Sequence, residues 1–192
     1  MKLREAELKP GGQMVLVNFA KCDEGHFLGK SGRLGESMHH TFAEIWAELV
    51  TPEEFTNTNF PNQYRTLEAT TAPFAGSSKE LSMDLVSADT RLVPCPYYDS
   101  FHGQASKGGV LAGQSYAFAG DASGHADNYV PTTRTWSNST FLAGLDDGRS
   151  DDEKAALVDE LFRRYAQRVA DAPKDHAMDY THVYLHAAKP LK

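Results

Sequence analysis

The run Met14-Val15-Leu16-Val17-Asn18-Phe19, entered directly from Lys9-Pro10-Gly11-Gly12, limits the architecture more than any other stretch of the chain. Pro10 and the paired glycines stop the charged, helix-favouring segment 2–8 and turn the chain. The β-branched and apolar run behind them is the pattern of a buried strand covered on both faces. Such a strand needs neighbours. Two further runs read as strands: Leu85 to Val93, closed by Pro94 and Pro96, and Tyr180 to Ala187 near the C-terminus. With helical stretches between them, the order strand, helices, strand, helix, strand describes an α/β or α+β arrangement. Three strands alone leave both faces and at least one edge seeking partners, so the sheet is expected to be part of a larger one.

The helices follow from spacing and capping chemistry. From Glu36 to Val50 the residues Met38, Phe42, Ile45, Trp46 and Leu49 recur at intervals of three and four, an amphipathic helix. Thr51-Pro52-Glu53-Glu54-Phe55 opens a short turn or helix, with Thr51 as N-cap and Pro52 in the first helical position. Residues 57–61 read as irregular and 63–72 as a further short helix. Residues 99–131, rich in Gly, Ser and Asp, are expected to form a long surface excursion, and Asn138 to cap a helix starting near Ser139. The firmest element is Ser150 to Asp171. Ser150-Asp151-Asp152-Glu153 is a capping box, acids crowd the positive helix end, and Leu157, Val158, Leu161, Phe162, Tyr165 and Val169 form one apolar stripe before Pro173.

Composition excludes several classes. Acidic residues outnumber basic ones, 26 to 19, for a formal charge of −7, and no face-sized Lys/Arg cluster offers a nucleic acid its electrostatic footprint. No apolar run reaches the ~18 residues that span a bilayer, and the N-terminus has no apolar signal-peptide core. The expected location is the cytoplasm, away from membranes. Two cysteines far apart, Cys22 and Cys95, make neither a disulfide framework nor a zinc knuckle and read as free thiols.

Motifs for familiar chemistry fall short. Gly25-His26-Phe27-Leu28-Gly29-Lys30-Ser31 is one residue too short for a phosphate-binding P-loop. His39 and His40 are adjacent and point to different sides of a helix. His182 and His186 share a strand face but stand about 13 Å apart along it. No nucleophile elbow or Cys/His pairing marks a hydrolase. What remains are three segments that mix aromatic and polar residues, as small-molecule pockets do: Asn57 to Thr66, Pro94 to Phe101 and Arg134 to Phe141.

These segments, in this order, carry a resemblance. Leu8-Lys9-Pro10-Gly11-Gly12-Gln13-Met14-Val15-Leu16 resembles the junction into the fifth strand of class I methyltransferases. The helix bearing Trp46, then Glu53-Glu54-Phe55, Asn59-Phe60-Pro61 and Tyr64, resembles the cap of SABATH-type S-adenosylmethionine-dependent carboxyl methyltransferases, especially bacterial ones. Leu161-Phe162-Arg163-Arg164-Tyr165 and the terminal strand ending in Lys189 are similar to that family's last helix and strand. The resemblance implies an α/β fold, the C-terminal half of a class I (Rossmann-like) methyltransferase with a helical cap insertion. Residues 1–22 would end the Rossmann-like core, 23–80 form the helical cap and acceptor-binding segment, and 81–192 supply the last core strands and helices with a long loop.

The same resemblance implies methyl transfer from S-adenosylmethionine to the carboxylate of a small molecule. Its acceptor pocket would be walled by Trp46, Phe60, Tyr64 and Trp136, with Asn59 as polar anchor. The family's Gly-rich cofactor loop and cofactor-binding acid precede the fifth strand, so the cofactor-binding half is expected to lie outside this sequence, supplied by a missing N-terminal half; a homodimer is the other expected assembly. Magnesium in plant members is held by an Asp and an Asn; Asn59 matches the Asn, while Thr56 or Asn57 stands where the Asp belongs. The reading from a different class is a non-enzymatic, methyltransferase-derived interaction module that binds a partner through its exposed sheet edge.

Overall fold

A computed structural model describes residues 1–76, 80–103 and 120–191. In chain order the elements are α1 (Lys2–Glu7), β1 (Gln13–Ala20), α2 (Met38–Leu49), α3 (Pro52–Asn57), α4 (Leu67–Thr71) with a 3-10 turn at Ala72–Phe74, β2 (Asp84–Val93), α5 (Pro96–Phe101), α6 (Ala122–Ala143), α7 (Asp151–Asp171) and β3 (Tyr180–Ala188). The chain is mixed α/β and divides into two interleaved units. One comprises Met1–Ser31, Gln63–Val93 and Asp179–Lys192, the other Gly32–Asn62 and Pro94–Met178.

The first unit holds the sheet, in the order β1-β3-β2, with β3 antiparallel to both neighbours. One face buries Phe74, Leu81, Met83, Leu185 and Ala187, with Leu8, Met14 and Leu16 packed against them. Gly11 (φ 75°) takes the left-handed turn that brings its amide to Lys189 O at 2.9 Å, and Lys189 N returns to Gly12 O at 2.8 Å. The Lys189 ammonium donates to the carbonyls of Glu5 and Leu8, neutralising the negative end of α1.

The other face corrects the sequence reading of β1. Val15, Val17 and Phe19 are 72%, 46% and 48% exposed. Side chains alternate along a strand, so Met14 and Leu16 reach the core and the odd-numbered residues point the other way. A continuous apolar run signals two apolar faces; among the described residues only one of them is covered. The outward rows place Val15 opposite His186, Val17 opposite Tyr184 and Phe19 opposite His182.

The second unit is helical. α2 buries Met38, Phe42, Ile45 and Trp46, and α7 buries Val158, Leu161, Phe162, Tyr165 and Val169, the stripes expected from their spacing. Phe42 is the hub, its ring 4.6 Å from Tyr165, 5.6 Å from Phe141 and 6.0 Å from Phe162. Both the Ser150 and the Thr51 caps form complete capping boxes.

The region expected to be a surface excursion is different. Residues 104–119 lie outside those described, but α5 and the first half of α6 occupy the flanks. α6 is capped by Asp121, whose side chain accepts from the Gly124 amide. Asn138 is therefore a mid-helix residue and caps nothing; its Oδ1 accepts from Arg134 Nε at 3.1 Å. No helix among the described residues is long and apolar enough to cross a membrane.

Candidate functional site

Three of the five residues singled out as pocket walls and anchors meet in one aromatic chain within the helical unit. Phe60, in the segment after α3, lies 6.1 Å from Trp136 on α6 and 5.3 Å from Phe141. Trp46 on α2 reaches the same group through Phe141, at 5.1 Å. Trp46 is only 1% exposed and donates its indole N–H to Thr58 Oγ1 at 2.8 Å, so it backs the cluster as core and bears on a ligand only through Phe141. Asn59 is exposed beside Phe60. Tyr64 belongs to the sheet unit, where its ring stacks on Phe27 at 5.4 Å.

The sequence reading missed His39. It stands one turn before Phe42, so its ring reaches the same aromatic group, 5.7 Å from Phe60 and 6.1 Å from Trp136. Its spacing to Phe42 and Trp46, three and seven residues, was the available signal. Burial holds the imidazole below its usual pKa, in favour of the neutral ring. Two nitrogens of the cluster, His39 Nε2 and Trp136 Nε1, are buried with no hydrogen-bond partner among the described residues. A buried polar nitrogen left unpaired costs about 1–3 kcal/mol, and these two stand on neighbouring rings.

No protein-family model matches this chain, and no curated protein matches it. The chemistry of the site therefore rests on its own atoms.

The segment 51–62 is fixed by Glu54. This carboxylate, 2% exposed, accepts from Arg149 Nε at 2.5 Å, from a second Arg149 nitrogen at 2.9 Å, from the Asp146 amide at 3.1 Å and from the Thr51 amide at 3.0 Å. The Arg149 guanidinium is the main reason its pKa lies well below the usual carboxylate range. Gly144 lets α6 approach closely: a Cβ there would lie 2.8 Å from Thr58 Cα and overlap the Thr58 hydroxyl. Phe60 is thus delivered by a segment pinned at Thr51, Glu54 and Thr58.

The donors around Asn59 do not fit magnesium, which takes hard oxygen ligands and usually one or two carboxylates. Thr56 donates to Pro52 O and Thr58 to Glu54 O, Asn57 is neutral, and the Glu54 carboxylate is consumed by Arg149. Nor does the Gly25–Ser31 loop form a phosphate or nucleoside cradle. Phe27 and Lys30 bond to each other through their backbones, and Ser31 donates to the buried carboxylate of Asp179 at 2.5 Å. His182 packs on Phe19 and Tyr180, and His186 pairs with Gln13. A groove of about 230 Å³ runs between α2 and α7, lined by Arg163, Arg164 and Arg168. Those cations are paired with Glu160, Glu48 and Glu44, which leaves no net positive site there. Cys22 is half-buried and Cys95 is buried.

Proposed function

We propose that the helical unit is the acceptor-binding part of an S-adenosylmethionine-dependent methyltransferase that acts on the carboxylate of a small molecule. The unpaired nitrogens of His39 and Trp136 beside the Phe60 ring carry this reading. An indole N–H and an imidazole N–H (the neutral Nε2–H tautomer) are donors, and a carboxylate is the small acceptor group best suited to take both. The aromatic walls suit the remainder of a flat or apolar acid. The sheet supports the same reading: a last strand inserted antiparallel between the two before it is how the class I methyltransferase sheet ends.

S-adenosylmethionine supplies a methyl group on a positively charged sulfur. An acceptor carboxylate is ionised at neutral pH, so it would take the methyl carbon without help from a base as the S–C bond breaks and the sulfur leaves as a neutral thioether. His39 and Trp136 would hold one carboxylate oxygen and leave the other directed at the methyl group, while Phe60 and Phe141 exclude water from the nucleophile. Catalysis is then alignment and desolvation, which agrees with the absence of an acid–base pair among the residues of the cluster. The strands that bind the cofactor would be supplied by a separate segment.

Two tryptophans give two indole N–H signals, so nuclear magnetic resonance reads the site directly. Titration with aromatic carboxylic acids should move the Trp136 signal and leave Trp46, already bonded to Thr58, in place. The shift should vanish in Trp136→Phe and weaken in His39→Ala. A panel of acids that moves neither indole, or equal shifts from the matching amides, would overturn the assignment. Calorimetry with S-adenosylmethionine on residues 1–192 should give no saturable heat.

The second reading, an interaction module, is favoured by the outward face of β1. It predicts that Val17→Lys abolishes partner capture while carboxylic acids leave both indole signals unmoved.

A further inference from the structure

The loop that follows β1 has a use that the acceptor site does not absorb. Cys22-Asp23-Glu24-Gly25-His26 folds back on itself: Cys22 N donates to His26 O at 3.1 Å and Gly25 N to Cys22 O at 2.9 Å. The His26 amide also points at Cys22 Sγ, at 3.3 Å. Gly25 makes the reversal with φ 81°. An added Cβ would meet nothing closer than Lys21 Cε at 3.8 Å, so the requirement at this position is conformational rather than steric. The result is that Cys22 sulfur, a Glu24 carboxylate oxygen and a His26 ring nitrogen lie within 4.8 Å of one another.

We propose that Cys22, Glu24 and His26 form a binding site for a divalent transition-metal ion of the zinc type, with its fourth position open to water. A thiolate, an imidazole and a carboxylate are the donor types zinc takes, whereas magnesium or calcium prefers oxygen alone. Bonds of about 2.0–2.3 Å to one ion require the three atoms to close by less than a side-chain rotation allows. Cys22 and His26 are half-buried and Glu24 is exposed, so an ion can enter from solvent and keep a water. The backbone bonds that close the turn exist without the ion, so little ordering remains to oppose binding. Cys22 can hold the ion only as a thiolate, so the thiol proton has to be displaced. On binding, the ion takes the place of that proton: the S–H bond breaks, a metal–sulfur bond forms, and one proton leaves to solvent.

Cobalt(II) titration of the full 192-residue chain tests this, with zinc as competitor. One equivalent should give the near-ultraviolet charge-transfer band of a cobalt–thiolate bond, and zinc should remove it. Cys22→Ser should abolish the band; Glu24→Gln and His26→Ala should each weaken binding by at least about tenfold. Gly25→Val keeps all three ligands and should also weaken binding, because it strains the turn that gathers them. His186→Ala, a half-exposed histidine elsewhere in the sheet unit, should change nothing. Far-ultraviolet circular dichroism establishes that each variant is folded. The site is refuted by the absence of the band in the folded parent chain, by its persistence in Cys22→Ser, or by full affinity in both Glu24→Gln and His26→Ala.

Discussion

α6 and α7 are nearly equal in length, 22 and 21 residues, and pack along each other in one unit, yet they are held by different means. α7 carries its own reasons to be helical: a capping box, three acids in its first turn, Glu160 bonded to both Arg163 and Arg164, and an apolar stripe. The two arginines hold the Glu160 carboxyl at a pKa of about 2. α6 has Gly124 near its start, Pro131 in its interior and a run of Thr, Ser and Asn. It buries His125, Tyr129, Thr133, Ser137 and Phe141 at a spacing of four, with Ala126 and Val130 beside them, so polar side chains interrupt the apolar face. Thr133 and Ser137 return their hydroxyls to the helix's own carbonyls at 2.7 Å, and Tyr129 shares its hydroxyl with Tyr165 at 2.9 Å. One helix is specified by its local sequence. The other is specified by what it packs against.

The contrast can be broken at its strongest point first. Leu161→Ala, at a residue with no exposure, should cost about 2–5 kcal/mol in urea unfolding, while Thr133→Ala at the facing type of position in α6 should cost about 1 kcal/mol or less. Equal losses would mean that the two cores are not different in kind. Arg149→Ala removes the partner of Glu54 at the connection between the helices and should cost about 3 kcal/mol. A smaller loss in Arg149→Lys would show that charge matters there more than the forked geometry.

Pro131 sits in the interior of α6 without an N–H to give, and it is exposed. Pro131→Ala should stabilise the chain by about 1–2 kcal/mol, helical propensity outweighing the entropy returned to the unfolded state. An unchanged melt would show that packing has already offset the break.

The smallest effect separates the helices by pH. Burial holds His125 on α6, and His176 beyond α7, below the ordinary value of 6.5. The unfolded chain therefore takes up protons first, and stability should fall as the pH drops below about 6.5. Glu54 and Glu160 act in the opposite range: their carboxyls lie below the ordinary 4.5, so their contributions hold above it and are lost only further into acid. His125→Gln should flatten the profile between pH 7 and 5 and leave the acid limb unchanged.

What could be read in advance follows the same division. The caps at Thr51 and Ser150, the stripes of α2 and α7 and the three strands are local patterns, and all were legible. α6 was not, because Gly124, Pro131 and the hydroxyl residues are loop signals when neighbours are unknown, and its buried face mixes Ala126, Tyr129, Val130 and Phe141 with His125, Thr133 and Ser137. The candidate site was partly legible. Phe60 and Trp136 were singled out and do meet. His39 is harder to read, because its neighbour His40 points to another side of the helix and only the spacing to Phe42 and Trp46 places it on the aromatic face. Glu54 was read only within its own turn, since its partner Arg149 is 95 residues away.

The outward residues of β1 have a practical consequence. β1 forms an edge of the sheet, so every second peptide group along it faces away from β3, beside Val15, Val17 and Phe19. A strand with open backbone donors and an oily flank recruits other copies in proportion to concentration. Preparations of these 192 residues should therefore cloud or form sheet-rich assemblies at high concentration well below the melting temperature, and a single lysine in place of Val17 should keep them clear. Amide exchange along β1 should alternate, slow at residues bonded to β3 and fast at those between them.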